Sequence, residues 1–209
     1  MTKYFLDNVR DTSQSGWLKV ARTDRGEISI PYGIRAQKLA SDSRGETFRI
    51  LEGIYEGAVI NIPFIKEVTS YFTALRNKPI AKINLLLHKS KKRLEIGRQI
   101  YSVIFDDSIE EGEYSLLIPD YPHLPMSIKQ YLNESEGGSR FTTTWFKFVK
   151  KENSMFQSTS YLHFGTYSEG CITFPYTKKR SVSDWSNLAL HLSRSRIKSG
   201  VSSTMKVIE

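Results

Sequence analysis

Apolar and polar residues alternate in short runs along most of the chain: Trp17–Ala21, Thr47–Leu51, Ala58–Ile62, Lys82–Leu86, Arg93–Ile96 and Thr144–Phe148. A period of two sends alternate side chains to opposite faces of an extended backbone, so each run predicts a half-buried strand. Their β-branched and aromatic content suits a pleated surface. Two stretches follow the helical period instead. Ile65, Val68, Phe72 and Leu75 share one stripe and predict a helix over about 65–76. Trp185, Leu188, Ala189 and Leu192 do the same over about 182–196, with Ser183 as candidate N-cap. Arg194, Arg196 and Lys198 complement the C-terminal end of that helix dipole, and Gly200 stops it. A last strand is expected over about 203–208.

These elements predict a mainly β protein, a β-rich α+β arrangement. A break near Arg76-Asn-Lys-Pro79 divides it into an N-terminal β-rich module with one helix, 1–78, and a functional unit, 79–209. Asn133-Glu-Ser-Glu-Gly-Gly-Ser139 reads as a loop. A chain of 209 residues has room for one domain with a full core, or for a domain plus a small module.

The net charge of +8 favours an anionic partner, nucleic acid or an anionic cell-wall polymer. Apart from Lys89-Ser-Lys-Lys-Arg93 and Lys178-Lys-Arg180, the cations are scattered, and short charge runs usually sit on solvated faces. Nucleic-acid recognition needs a clustered basic and aromatic face, which makes it the weakest of the partner classes. Apolar runs such as Leu85–Leu87 are far too short to span a bilayer. Met1–Arg10 lacks the long apolar stretch of a secretory signal, so a soluble cytoplasmic product is expected.

The single cysteine, Cys171, cannot form an internal disulfide. A thiol attacks carbonyls as the thiolate, and a neighbouring histidine can take its proton. His163 lies eight residues upstream, and two strands joined by a tight turn would bring the pair face to face. Gly165, Ser168 and Gly170 are the small residues such a turn uses. Backbone amides at Gly170 and Cys171 could then hold an oxyanion, and Ser168 could orient the histidine or bond the substrate. The residues alone leave the alternative open: a lone cysteine packs well as a small apolar group, and a strand histidine can be merely satisfied. His123, between Pro122 and Pro125, is either a cleft residue contacting substrate or a surface-loop histidine. Tyr161, Tyr167 and Trp145 could wall a cleft, and Trp145 could equally pack in the core. His88 and His191 are expected on a hairpin and a helix surface. No spacing of histidine, cysteine and carboxylate matches a metal site, so neither metal nor other cofactor is expected.

Ser168-Glu-Gly-Cys-Ile172, with His163 upstream, resembles the active-site signature of the L,D-transpeptidase catalytic domain, the YkuD-like family. Ile83–Ile96 is similar to that family's opening hairpin, Gln99–Val103 to its next strand, and Glu111–Ile118 to its Gly-x-(Tyr/Phe) strand, so the likeness spans about 80–176. The resemblance implies an L,D-transpeptidase-like β-sandwich with a C-terminal helix and an N-terminal β-rich extension. It also implies acyl transfer on peptidoglycan stem peptides, as L,D-transpeptidase or L,D-carboxypeptidase, with Cys171 as nucleophile and His163 as base. The sequence departs from the family in its shorter histidine-to-cysteine spacing, in Glu169 where a histidine is common, and in Thr173 where an arginine is usual. Peptidoglycan lies outside the cytoplasm, so this function implies delivery by a secretion system, as for an antibacterial effector, or release by lysis. The rival reading is a non-catalytic β-rich module that binds an anionic cell-wall polymer.

Overall fold

A computed structural model describes residues 3–7, 16–24, 26–64, 70–74, 82–123, 141–151, 160–176 and 179–209, the last stretch with side chains from 182 onward. The first sheet is wholly antiparallel. Its strands are β1 (Lys3–Leu6), β2 (Trp17–Arg22), β3 (Glu27–Pro31), β4 (Arg35–Ser41), β5 (Gly45–Ile50), β6 (Val59–Pro63) and β7 (Phe72–Ala74). They lie in the order β3-β2-β6-β5-β4-β1-β7. The alternation of Trp17–Ala21, Thr47–Leu51 and Ala58–Ile62 is realised in β2, β5 and β6. One face supplies Leu18, Val20, Phe48, Ile50, Ile60 and Ile62 to a core.

The helix expected over 65–76 is corrected where the structure describes it. Phe72, Thr73 and Ala74 form β7, paired with Leu6, Phe5 and Tyr4 of β1. Phe72 is buried and stacks on Phe48, with ring centroids 4.3 Å apart. The edge of β1 offers hydrogen bonds that a helix would leave unmade, and an aromatic beside a β-branched residue suits that edge. Residues 65–69 and 75–76 lie outside the described residues, as do the 133–139 loop and the 78/79 boundary.

The second sheet contains β8 (Asn84–His88), β9 (Arg93–Ile96), β10 (Gln99–Ser102), β11 (Gly112–Leu117), β12 (Phe146–Lys150), β13 (Tyr161–Gly165), β14 (Ile172–Pro175) and β15 (Val201–Ile208). Their order is β10-β9-β8-β15-β11-β12-β13-β14. The sheet then closes on itself. Ile104, just past β10, bonds Thr173 of β14 in both directions, with N···O distances of 2.9 and 2.7 Å. This seam joins the two ends of the ladder.

Helix α1 (Lys179–Arg194) covers the core of the second sheet with Val182, Trp185, Leu188, Ala189 and Leu192. Its stripe is the expected one, but it begins before Ser183, so Ser183 lies within the helix rather than capping it. Trp185 is fully buried and donates its indole N–H to Phe141 O at 2.8 Å. That bond removes the cost of an unpaired donor in an apolar layer. No helix among the described residues is long and apolar enough to cross a membrane.

The sheets share their interiors at one junction. Tyr32 of the first half packs in the second core, and Ile118 of the second half packs in the first. Arg196, just past α1, forms a buried pair with Glu52, 2.8 Å between Nη2 and Oε1. The same guanidinium donates to the carbonyls of Ser193, Ser195 and Gly33, while Glu52 also accepts the Arg35 amide. Gly33 has φ +80° there, and a Cβ would lie 2.0 Å from Ser193 O, so only glycine allows this approach.

Candidate functional site

The site is built on the strands that meet at the seam. β13 and β14 are parallel, with Leu162 opposite Ile172, His163 opposite Thr173 and Phe164 opposite Phe174. The tight antiparallel turn expected from the sequence is therefore corrected, and the correction moves the chemistry. An antiparallel turn centred near Tyr167 would set Cys171 opposite His163. The parallel register sets Thr173 there and leaves Cys171 two residues back, beside Tyr161. Leu162, Ile172 and Phe174 point inward to the core. Alternation then puts Tyr161, His163, Cys171 and Thr173 together on the other face. Continuing the Ile104–Thr173 bridge brings Asp106 alongside Cys171 on the opposite flank.

His163 is buried, and both its ring nitrogens are engaged. Nδ1 lies 3.1 Å from Phe164 O and Nε2 lies 3.1 Å from Thr173 Oγ1. In its Nδ1–H tautomer the neutral ring donates to the Phe164 carbonyl and keeps Nε2 as the basic nitrogen. Burial pulls the imidazole down to about 4, against the opposing influence of the Phe164 carbonyl and with a smaller push from His123. The ring is thus neutral at neutral pH, the state a base requires. No hydrogen bond joins Cys171 Sγ to either nitrogen.

Cys171 is half-buried. Burial pushes its thiol up; the charges of Asp106 and Glu169 add to that, and the Tyr161 backbone amide opposes it. The resting pair is therefore a neutral thiol and a neutral imidazole, not a thiolate beside an imidazolium.

The other residues singled out from the sequence fall in distinct places. His123, Trp145, Tyr161 and His163 come together. Trp145 stacks on His163 at 4.2 Å and on His123 at 4.5 Å, while the Tyr161 ring meets His123 edge-on at 4.7 Å. Tyr121, half-exposed, extends the column by stacking on His123 at 4.3 Å. Asp120 fixes it from below: His123 Nε2 lies 2.9 Å from Oδ1, and Tyr161 donates its hydroxyl to Oδ2 at 3.1 Å. Burial pushes the Asp120 carboxyl up, but the His123 bond, the amides of Tyr121 and Asp120 and the His123 charge outweigh it and hold it low. Burial, then the Asp120 charge, raises the Tyr161 phenol well above its ordinary value.

Tyr167 and Ser168 take other places. Tyr167 is 67% exposed, outside the column, and offers only its carbonyl, which accepts the Thr173 hydroxyl at 2.8 Å. Ser168 donates to Cys171 O at 2.5 Å and so closes the loop rather than orienting the histidine. Gly170 has φ +66°, the left-handed conformation that the loop needs before the cysteine. Its amide is already committed, donating to Asp106 Oδ2 at 2.6 Å. An oxyanion would have to displace that carboxylate. His88 pairs with Glu95 on the β8–β9 hairpin, and His191 is exposed on α1.

Asp106, Thr173, Asp120 and Tyr121 are the site residues that sequence reasoning missed. The first two follow from the parallel register and the seam, and neither carries a local motif. Among the described residues no group of three or more His, Cys, Asp or Glu could hold a metal ion. A shallow groove lined by Arg22, Asp24, Tyr55 and Glu56 belongs to the first sheet, away from these groups, and its arginine is already paired with Asp24.

Fold and site together define a mainly β protein with a buried imidazole and a half-buried thiol at the seam of its second sheet. No protein-family model matches the chain, and a search of curated proteins finds no match. Among solved structures, an L,D-transpeptidase from Mycobacterium tuberculosis H37Rv is similar at 11% identity and a TM-score of 0.34, over 79% of this chain and 76% of that one. So loose an overlap transfers no residue roles.

Proposed function

We propose that the protein is a cysteine acyl-transfer enzyme in which Cys171 is the nucleophile and His163 the base. The supporting observation is the arrangement of the imidazole: buried, neutral, close to Phe164 O through Nδ1, and on the same sheet face as the thiol two register positions away. The thiolate attacks a peptide carbonyl, the acyl group passes to sulfur, and the proton taken from the thiol is returned to the leaving amine. An amine or water then releases the acyl group. The column of Tyr121, His123, Trp145 and Tyr161 forms the wall against which a substrate would lie. The substrate class, peptidoglycan stem peptides, rests on the resemblance of Ser168-Glu-Gly-Cys171 to the L,D-transpeptidase signature. In this reading 79–209 is the catalytic unit and 1–78 is an extension packed against it.

Digestion of purified muropeptides followed by mass spectrometry tests this directly. The wild-type protein is expected to yield new cross-links or trimmed stems, and Cys171→Ala and His163→Ala to yield none. Unchanged muropeptides with the wild type would remove the assignment. The raised thiol and the committed Gly170 amide favour a second reading, a non-catalytic module binding an anionic wall polymer through its net charge of +8. That reading predicts salt-sensitive sedimentation with cell walls that Cys171→Ala leaves intact.

A further inference from the structure

Trp145 meets His163 face to face. Phe146 pairs with Leu162, so Trp145, one residue before β12, comes alongside His163 on the outer face of the sheet. Their ring centroids are 4.2 Å apart and their planes 24° from parallel. The other indole face carries His123, at 4.5 Å and 2°. The indole N–H of Trp145 has no hydrogen-bond partner, whereas that of Trp185 donates to Phe141 O. A covered tryptophan N–H usually finds an acceptor. Trp145 is instead held by its faces, and one of them is given to the imidazole proposed as the base.

The two faces differ in what balances a charge on the ring they meet. His123 Nε2 lies 2.9 Å from Asp120 Oδ1, so a proton gained by His123 is matched by a carboxylate. His163 has no such partner among the described residues. Its nitrogens face the Phe164 carbonyl and the Thr173 hydroxyl, both neutral groups. Those oxygens carry no net charge, and burial opposes a cation at this position. A cation within ~6 Å of an aromatic centroid is drawn to the negative face of the ring quadrupole, most strongly where water is excluded. The indole face is therefore the group placed to favour the charged imidazole over the neutral one.

We propose that Trp145 is a positioning residue for His163: its indole face offsets the positive charge of the imidazolium. The step at which that charge appears rests on the reading of His163 as the base for Cys171. There the S–H bond breaks, an N–H bond forms on the imidazole, and the electron pair stays on sulfur. No bond of the indole changes. A contact stronger with the charged ring than with the neutral one assists that transfer rather than merely holding the ring in place.

Fluorinated tryptophans placed at position 145 alone, in the full chain, test the contact. Fluorine drains the ring face of negative potential and nearly preserves its shape. The His163 midpoint is followed by NMR of isotope-labelled histidine from about pH 7 down to about pH 3, across its reference and folded values. His163→Gln and His123→Gln assign the two stacked rings. The charged and titratable groups on the face around the ring are His123 with Asp120, Lys147, Tyr161, and Cys171 with Asp106 and Glu169. The tryptophan series retains them all. The midpoint, about 4 with ordinary tryptophan, is expected to fall with each added fluorine, by about half a pH unit or more in total. Turnover of muropeptides near neutral pH is expected to fall in step, ~3-fold or more with the most fluorinated ring.

A midpoint that stays level or rises along the series overturns the proposal, and the indole then only packs. Turnover that holds level while the midpoint falls overturns its part in the reaction. A falling midpoint in a protein that leaves muropeptides unchanged keeps the contact with the charged ring and removes the acyl-transfer reading.

Discussion

At the scale of single residues, His163 couples the site to the stability of the whole chain. Its imidazole titrates near 4 when folded and near its ordinary 6.5 when unfolded, because burial disfavours the charged form. Between those values the unfolded chain binds the extra proton. The contribution of a neutral His163 is therefore fully present above about pH 6.5 and is lost progressively as the pH falls towards 4. The shift corresponds to roughly 3 kcal/mol at its limit. Urea unfolding at neutral pH and near pH 4.5 should show wild type losing most of that amount, about 2–3 kcal/mol, relative to His163→Gln. Equal losses in the two proteins would mean that the ring is charged when folded.

At the scale of elements, the seam decides what surrounds the thiol. The bridge between Ile104 and Thr173 holds the 103–106 segment against β14, and Asp106 consequently faces both Cys171 and the Gly170 amide. Bonds from the Ser108 hydroxyl and the Gly170 amide keep the Asp106 carboxyl below its ordinary value, so it is ionised at neutral pH. It raises the thiol and fills the position an oxyanion would take. Asp106→Asn removes the charge, and the pH midpoint of iodoacetamide alkylation should move down, with a faster rate at neutral pH. A midpoint unchanged in Asp106→Asn would place the carboxylate outside the thiol's field.

Little of this element-scale arrangement was legible in the sequence, although the parts were. Alternation located β2, β5, β6, β8, β9 and β12, and the stripe of Trp185, Leu188, Ala189 and Leu192 located α1, because periodicity reports which face is buried. It does not report the direction of the partner strand. The six-residue link from Thr166 to Cys171 reads as a hairpin turn, since parallel neighbours usually need a much longer crossover. The structure joins β13 to β14 in parallel all the same, and that one difference replaced Cys171 by Thr173 opposite His163. The helical spacing misled at Phe72 for a related reason. Three residues of β7 answer to an open edge on β1, a distant feature that no local pattern records. His123, Tyr161 and Trp145 were legible as aromatic candidates, but their column depends on Asp120, whose bond to Tyr161 joins segments far apart in the chain.

At the scale of the whole molecule, the question is whether the two sheets stand or fall together. Each core borrows a residue from the other half, Tyr32 in one direction and Ile118 in the other. Between them lies the Arg196–Glu52 pair, 2% and 1% exposed. Burying two charges is costly, and here the cost is offset because each remaining donor and acceptor has a partner: three carbonyls on Arg196 and the Arg35 amide on Glu52. Removing one member strands the other as an unpaired charge in a dry junction. Arg196→Met is therefore expected to lower stability by about 3–5 kcal/mol. The double variant Glu52→Leu with Arg196→Met should recover part of that loss, since no buried charge is left. Recovery is incomplete because the carbonyls of Gly33, Ser193 and Ser195 lose their donor. Tryptophan positions allow each half to be followed: Trp17 lies in the first sheet and Trp185 in the helix over the second core. With the remaining tryptophans replaced by phenylalanine, single-tryptophan proteins reporting from Trp17 and from Trp185 should share one urea midpoint, and Arg196→Met should lower both together. Separate midpoints in the Arg196-intact proteins would show instead that the junction joins two independently stable units, leaving the site's stability to the second sheet alone.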